Sequence, residues 1–168
     1  MQTTSFTTLN YTERRTYLWT LAFVAGNILL PQLCHLIPQG GLIFLPIYFF
    51  TLVGAYKFGW KVGLSVAVLS PLVNSALFGM PPAAMLPGIV LKGTVLALAA
   101  AYVAYRSQRA TLPMLLAVIL SYQVVGTLGE WLLAGDLSAA LQDWRLGIPG
   151  MLVQLFGGWW VIRRLPAH

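Results

Sequence analysis

The chain has 168 residues, 58% of them hydrophobic and 8% charged, with a formal net charge of +6 and a mean hydropathy of +0.78. A soluble domain carries about 25% charged residues, and a chain this short has no core large enough for helices that are apolar all round; a water-soluble globule is excluded and an integral membrane protein is expected. The positive balance would otherwise point to nucleic acid, but the cations fall in small groups between apolar runs, so they read as a topology signal and no nucleic-acid partner is expected.

In chain order, the polar opening MQTTSFTTLNYTERRTYLW lacks a small-x-small cleavage site and leads into a first apolar run, 17–37, read as a retained helix. Further runs cover 42–56, 62–78, 83–105, 112–134 and 147–162. Crossing about 30 Å of hydrocarbon takes roughly 20 residues of helix. The second run is short, so it is expected to recruit residues 38–41 or to sit in thinned bilayer. None shows the period-two alternation of a membrane barrel. The expected fold is all-α: a single domain over 1–168 with six transmembrane helices.

Six crossings put both termini on one side, with Arg14, Arg15, Lys57, Lys61, Arg106, Arg109, Arg163 and Arg164. The other side carries Arg145 with Asp136 and Asp143. Short loops rich in Lys and Arg stay inside, so both termini are expected in the cytoplasm. Lys57 and Lys61 then flank a tight inner turn at Gly59, with Tyr56 and Trp60 in the interfacial belt. Gly79-Met80-Pro81-Pro82 is the outer turn between runs three and four, because proline cannot continue a helix but can open one.

Polar side chains in hydrocarbon are costly and face a bundle interior or a cavity. Lys92 lies inside run four, and Glu130 near the outer end of run five is the one acid within the apolar runs. They fit a structural ion pair that fixes helix packing, a pair facing a ligand cavity, or snorkelling at the membrane face. Gln123, Thr127, Glu130 and Ala134 form one polar or small stripe, Gly150, Gln154 and Gly157 another, and Gly88 shares a face with Lys92. Together these stripes predict a pocket between runs four, five and six, open to the outer face. Its candidate contacts are Lys92, Glu130, Gln123, Thr127 and Gln154. Trp131 and Trp144 are candidates for stacking on a flat substrate, or for interfacial anchoring.

In run one Asn27, Pro31 and His35 share a face, and His35 is a further candidate contact. It has no partner ligands, so no metal is expected. Ser70 and Asn74 read first as interhelical hydrogen-bonding residues, with Asn74 also a candidate contact. The single cysteine, Cys34, excludes an internal disulfide and a multi-cysteine metal site. Gly63-Leu64-Ser65 resembles a serine-protease fragment, but Ser65 and His35 belong to opposite ends of their helices, beyond base–nucleophile reach. With no phosphate-binding loop either, neither catalytic residues nor a cofactor are expected.

The stretch LPIYFFTLVGAYKFGWKVGLSVAVLSPLVNSALFGMPPAAMLPGIVLKGTVLALAAAYVAYR resembles the membrane-embedded substrate-binding subunits, or S components, of energy-coupling factor (ECF) transporters. A short second helix ending in a Gly/Lys turn, then GLSVAVLSPLVNSALFGMPP, then MLPGIVLKG carry the likeness. It covers residues 17–106, and beyond them it rests on span count and length.

The resemblance implies six helices in the cytoplasmic membrane and a pocket near the outer face, built chiefly by the last three helices and the outer loops. The pocket would capture a vitamin or vitamin-like precursor, without chemistry of the chain's own. The first three helices would dock on a transmembrane coupling subunit driven by a pair of ATPases, and the subunit would topple to deliver its cargo. The family's small-x-x-x-small docking motif falls on Ala22 and Gly26, with Ala25 adjacent. Relatives with this pattern carry an acid where Lys92 stands. A cation there suits a substrate bearing a carboxylate or phosphate, or else a pocket already acidified by Glu130. The alternative function from another class is a six-helix scaffold for a cell-envelope assembly, with Lys92–Glu130 structural; a small intramembrane enzyme is a third.

Overall fold

A computed structural model describes residues 6–165. Among them the structure is helical throughout, without a strand. The helices are α1 (Arg14–Cys34), α2 (Gly40–Phe44), α3 (Phe49–Phe58), α4 (Trp60–Phe78), α5 (Leu86–Ser107), α6 (Leu112–Ala134), α7 (Leu137–Ala140), α8 (Gln142–Leu146), α9 (Ile148–Leu152) and α10 (Gly158–Arg164). Short 3-10 turns at Pro46–Tyr48 and Ala83–Met85 lead into α3 and α5, and a π-helical turn at Val153–Gly157 joins α9 to α10.

Five segments among the described residues are long and apolar enough to cross a membrane: Arg14–Cys34, Gly40–Phe58, Trp60–Phe78, Ala83–Ser107 and Leu112–Ala134. The second takes in more chain than its apolar run and is broken. Leu45 has φ 46° and ψ 46°, the left-handed region, directly before Pro46. Proline crowds the preceding residue out of the right-handed helical region, so α2 stops there and α3 restarts after the turn. The expected sixth span, 147–162, is not one regular helix but α9, the π turn and α10 in succession. Its hydropathy carries no trace of the wider turn, which inserts a residue without interrupting the apolar run.

Helix α3 is the centre of the bundle. Every residue from Thr51 to Phe58 is buried, and α1, α4, α5 and α10 all pack on it. The approach of α4 is close, since a Cβ on Gly63 would sit 2.4 Å from the Cβ of Ala55. A polar knot ties the first three long segments together. Asn27 on α1 donates to Thr51 Oγ1 and Ser70 Oγ, both at 3.2 Å, and accepts from the Phe50 N–H. Asn74 donates to the Asn27 carbonyl at 2.9 Å, so Ser70 and Asn74 do make interhelical hydrogen bonds. The outward faces stay apolar, with Leu18, Leu21, Leu29, Leu77, Tyr102 and Leu132 exposed. In water such a surface would be an association hazard; against hydrocarbon it is the matching one.

Most of the cations gather at one end of the bundle, Lys92 and Arg145 apart. There the Thr7 and Leu9 amides donate to the Lys57 and Phe58 carbonyls, and Tyr56 Oη donates to the Arg109 carbonyl at 2.7 Å. Lys61 reaches Asn10 Oδ1. Trp159 Nε1 donates to the Ala110 carbonyl, and the guanidinium of Arg163 lies 4.7 Å from the Trp159 ring centre. The opposite end holds the connections 35–48, 79–85 and 135–147, which bear the features described next.

Candidate functional site

Lys92 projects from α5 and is only 1% exposed. Its aliphatic stem lies across Gly126 of α6, where a Cβ would stand 2.3 Å from Lys92 Cγ. That gap lets the ammonium reach Glu130 Oε2 at 2.6 Å, one turn further along α6. It also reaches Asp143 Oδ2, on α8, at 2.7 Å. An ammonium alone in hydrocarbon would cost at least ~2.5–3.5 kcal/mol; here two carboxylates offset it and the trio carries one net negative charge.

Asp143 is the site residue that the sequence reading leaves in a polar loop. Several contacts fold that loop back over the bundle. Gly135, with φ 70°, turns the chain at the end of α6. Asp136 then accepts from the Ser138 and Ala139 amides at 2.8 and 3.2 Å and starts α7. Trp144 Nε1 donates to Thr127 Oγ1 at 2.9 Å, fastening α8 to α6. Thr127 therefore anchors the cap, and Trp144 is its partner. Fifty-one positions separate Lys92 from Asp143, and no local spacing signals such a pair.

Beside the trio lies a cavity of about 500 Å³, bordered by Leu42, Tyr48, Ala84, Gly88, Glu130, Ala134, Ala139 and Asp143 among others. Lys92 is not in its wall; the two carboxylates stand in front of it. The walls come from α2 and the turn after it, the entrance to α5, the end of α6, and α7–α8. This differs from the pocket expected between runs four, five and six, because the last run contributes no lining residue. Its glycine stripe serves packing instead: a Cβ on Gly150 would lie 2.4 Å from the Phe44 backbone. Gln154 is buried, accepts from Tyr122 Oη at 3.0 Å and points Nε2 at the Leu45 carbonyl at 3.5 Å. It ties the π turn to α6 and to Leu45, the residue after α2.

The remaining candidates divide. Gln123 is buried away from the cavity, and neither side-chain nitrogen nor oxygen has a hydrogen-bond partner among the described residues. Trp131 is 43% exposed and outside the cavity wall. His35 and Asn74 border a neighbouring hollow of about 420 Å³, together with Pro31, Met80 and Pro82. Leu42, Ile47, Met85 and Ile89 face both spaces. On α1, Ala22 and Ala25 are exposed side by side. Gly26 instead turns inward, its Cβ position 2.6 Å from the Phe50 ring; the small-residue surface is thus Ala22 with Ala25.

The serine and histidine named in the sequence do not come together. Ser65 Oγ donates to the Lys61 carbonyl of its own helix at 2.9 Å, one turn from the cation-rich end, while His35 follows the far end of α1. The trio offers acceptors and fixed charge beside an apolar hollow. The sequence model of the family described as ECF transporter, substrate-specific component, matches residues 18–166. Comparison with curated proteins and with solved structures gave no match.

Proposed function

The chain belongs to the ECF transporter substrate-specific component family, and from that premise we propose that it captures a small molecule in the cavity bordered by Glu130 and Asp143 and passes it inward without chemistry of its own. As a family member it is a multi-pass membrane protein and a substrate-binding subunit of a transporter, not an enzyme. Beyond that, the reading is of a vitamin or vitamin-like precursor taken up across the cytoplasmic membrane. A coupling subunit and a pair of ATPases supply the drive, and the subunit topples to turn its cavity inward.

The observation that carries the reading is the cavity itself: about 500 Å³, at the end of the bundle opposite most of the cations. With the cation-rich end inside, the cavity faces outward. The five long apolar crossings and the broken helical run from α9 to α10 then make six, with both termini in the cytoplasm. A pocket of that size, mostly apolar with a few convergent polar groups, is the form that small-molecule sites take. Ala22 and Ala25 offer a flat patch on α1 where the coupling subunit's helices can approach closely.

Native mass spectrometry of the purified protein tests this. A retained small-molecule adduct is expected on the wild type and absent from Ala84→Trp, whose indole fills the cavity from an exposed wall position. An adduct on both proteins, or on neither, would remove the site.

A further inference from the structure

We infer that the molecule taken into this cavity is a small cation, or a base rich in N–H donors, with an apolar body, and that carboxylates and phosphates are rejected; the inference deepens the substrate-binding reading above and rests on it.

The argument is one of charge and access. Among the residues bordering the cavity, the charged ones are Glu130 and Asp143, both acidic. The cation paired with them, Lys92, is 1% exposed and stands behind them, its ammonium held at 2.6 Å by one carboxylate and 2.7 Å by the other. Arg145 of α8 is outside the cavity wall, exposed and directed to Ser138. An entering anion would meet two carboxylates first. To reach Lys92 it would have to break both ion pairs and leave two negative groups unpaired beside itself in a medium of low dielectric, where like charges repel strongly. A cation meets the reverse situation. The trio carries one excess negative charge, and a single positive group neutralises it.

The acceptors are available in the right place. Lys92 uses Oε2 of Glu130 and Oδ2 of Asp143, so each carboxylate keeps a second oxygen. Glu130 Oε1 lies 2.8 Å from the Cβ position of Gly88, a residue of the cavity wall. Charge-assisted bonds from N–H donors to such oxygens are about twice as strong as neutral ones. Beyond the carboxylates the wall adds the Gln142 amide and is otherwise largely apolar: Leu42, Leu45, Ile47, Met85 and Ile89 suit an apolar body, and Tyr48 gives it a ring to lie against. Lys92 is therefore not a ligand for an anion. It is a positioning residue that holds two carboxylates side by side.

The test equilibrates the purified full-length protein in lipid nanodiscs with the low-molecular-weight fraction of a rich culture medium, then identifies what is retained by mass spectrometry. Glu130→Gln and Asp143→Asn are run beside the wild type. Each leaves Lys92 one carboxylate, and a retained cooperative unfolding transition confirms the fold. The expected result is enrichment of a species that is cationic or N–H-rich at neutral pH, reduced roughly 10–100-fold by either variant, the loss of about one charged hydrogen bond. Enrichment of an anion, or of a cation indifferent to both variants, overturns the charge inference and leaves substrate binding standing. No enrichment of any species overturns the substrate-binding reading itself, and the inference with it.

Discussion

Asp143 holds Lys92 at 2.7 Å from a five-residue helix that belongs to no membrane span. The contact makes a buried lysine the hub of an acidic cavity wall and makes the α7–α8 segment part of the site. It also changes the sense of a cation in a membrane helix: Lys92 supports carboxylates and is screened by them.

Removing one carboxylate should be tolerable and removing both should not. Glu130→Gln or Asp143→Asn alone should lower stability by about 1.5–3 kcal/mol, since Lys92 keeps a partner. The double variant leaves a buried ammonium uncompensated and should lose about 3–5 kcal/mol or more. Adding Lys92→Met to the double variant should restore much of that loss, which unfolding midpoints in detergent will read.

Gly126 is the gap through which Lys92 passes, and filling it should displace the ammonium. Gly126→Val places branched carbon where the lysine stem lies, 2.3 Å from its Cγ for the Cβ alone. Overpacking of this kind costs about 1–3 kcal/mol. Binding of the retained molecule should fall further than stability does, measured on the same preparations.

The Trp144 indole is one fastening of the cap over the cavity, beside the Asp143–Lys92 pair. Trp144→Phe deletes the bond to Thr127 Oγ1, worth about 0.5–1.5 kcal/mol. Amide hydrogen exchange should quicken across residues 137–146 and stay unchanged around the Asn27 knot. Equal protection in both proteins would mean that the cap is held by other contacts.

On α1 the two kinds of small residue should separate experimentally. Ala22→Trp and Ala25→Trp point outward and should spare the unfolding midpoint while preventing recovery of the coupling subunit on co-purification. Gly26→Trp drives into the Phe50 ring and should lower the midpoint itself. Normal recovery with Ala22→Trp/Ala25→Trp would take the docking surface elsewhere.

Much of this was readable from the chain because hydrocarbon makes polar residues conspicuous. Lys92 and Glu130 stand out in long apolar runs, and cost alone marks them as a candidate ion pair or cavity pair. Asn74 with Ser70 were legible for the same reason. Asp143 was not, because an acid in a polar connection looks like any solvated loop residue. Only the fold-back through Gly135, Asp136 and Trp144 brings it to the ammonium. The glycine stripe of Gly150 and Gly157 misled in the opposite direction: equal spacing fits a pocket or a close helix contact, and Phe44 and Phe49 occupy that space. The broken second segment had a signal in Leu45-Pro46, whereas the π turn around Gln154 leaves none in hydropathy. The family likeness readable over residues 17–106 extends to nearly the whole chain, 18–166, once the family's full pattern is applied.

The most direct measurement is an experimentally determined structure of the protein with its retained small molecule. The account predicts the molecule beside Tyr48, Ala84 and Gly88, with donors in hydrogen-bonding reach of Glu130 and Asp143 and with Lys92 still paired behind them. A molecule seated instead against His35 and Asn74 in the neighbouring hollow, or bonded directly to the Lys92 ammonium, would contradict it.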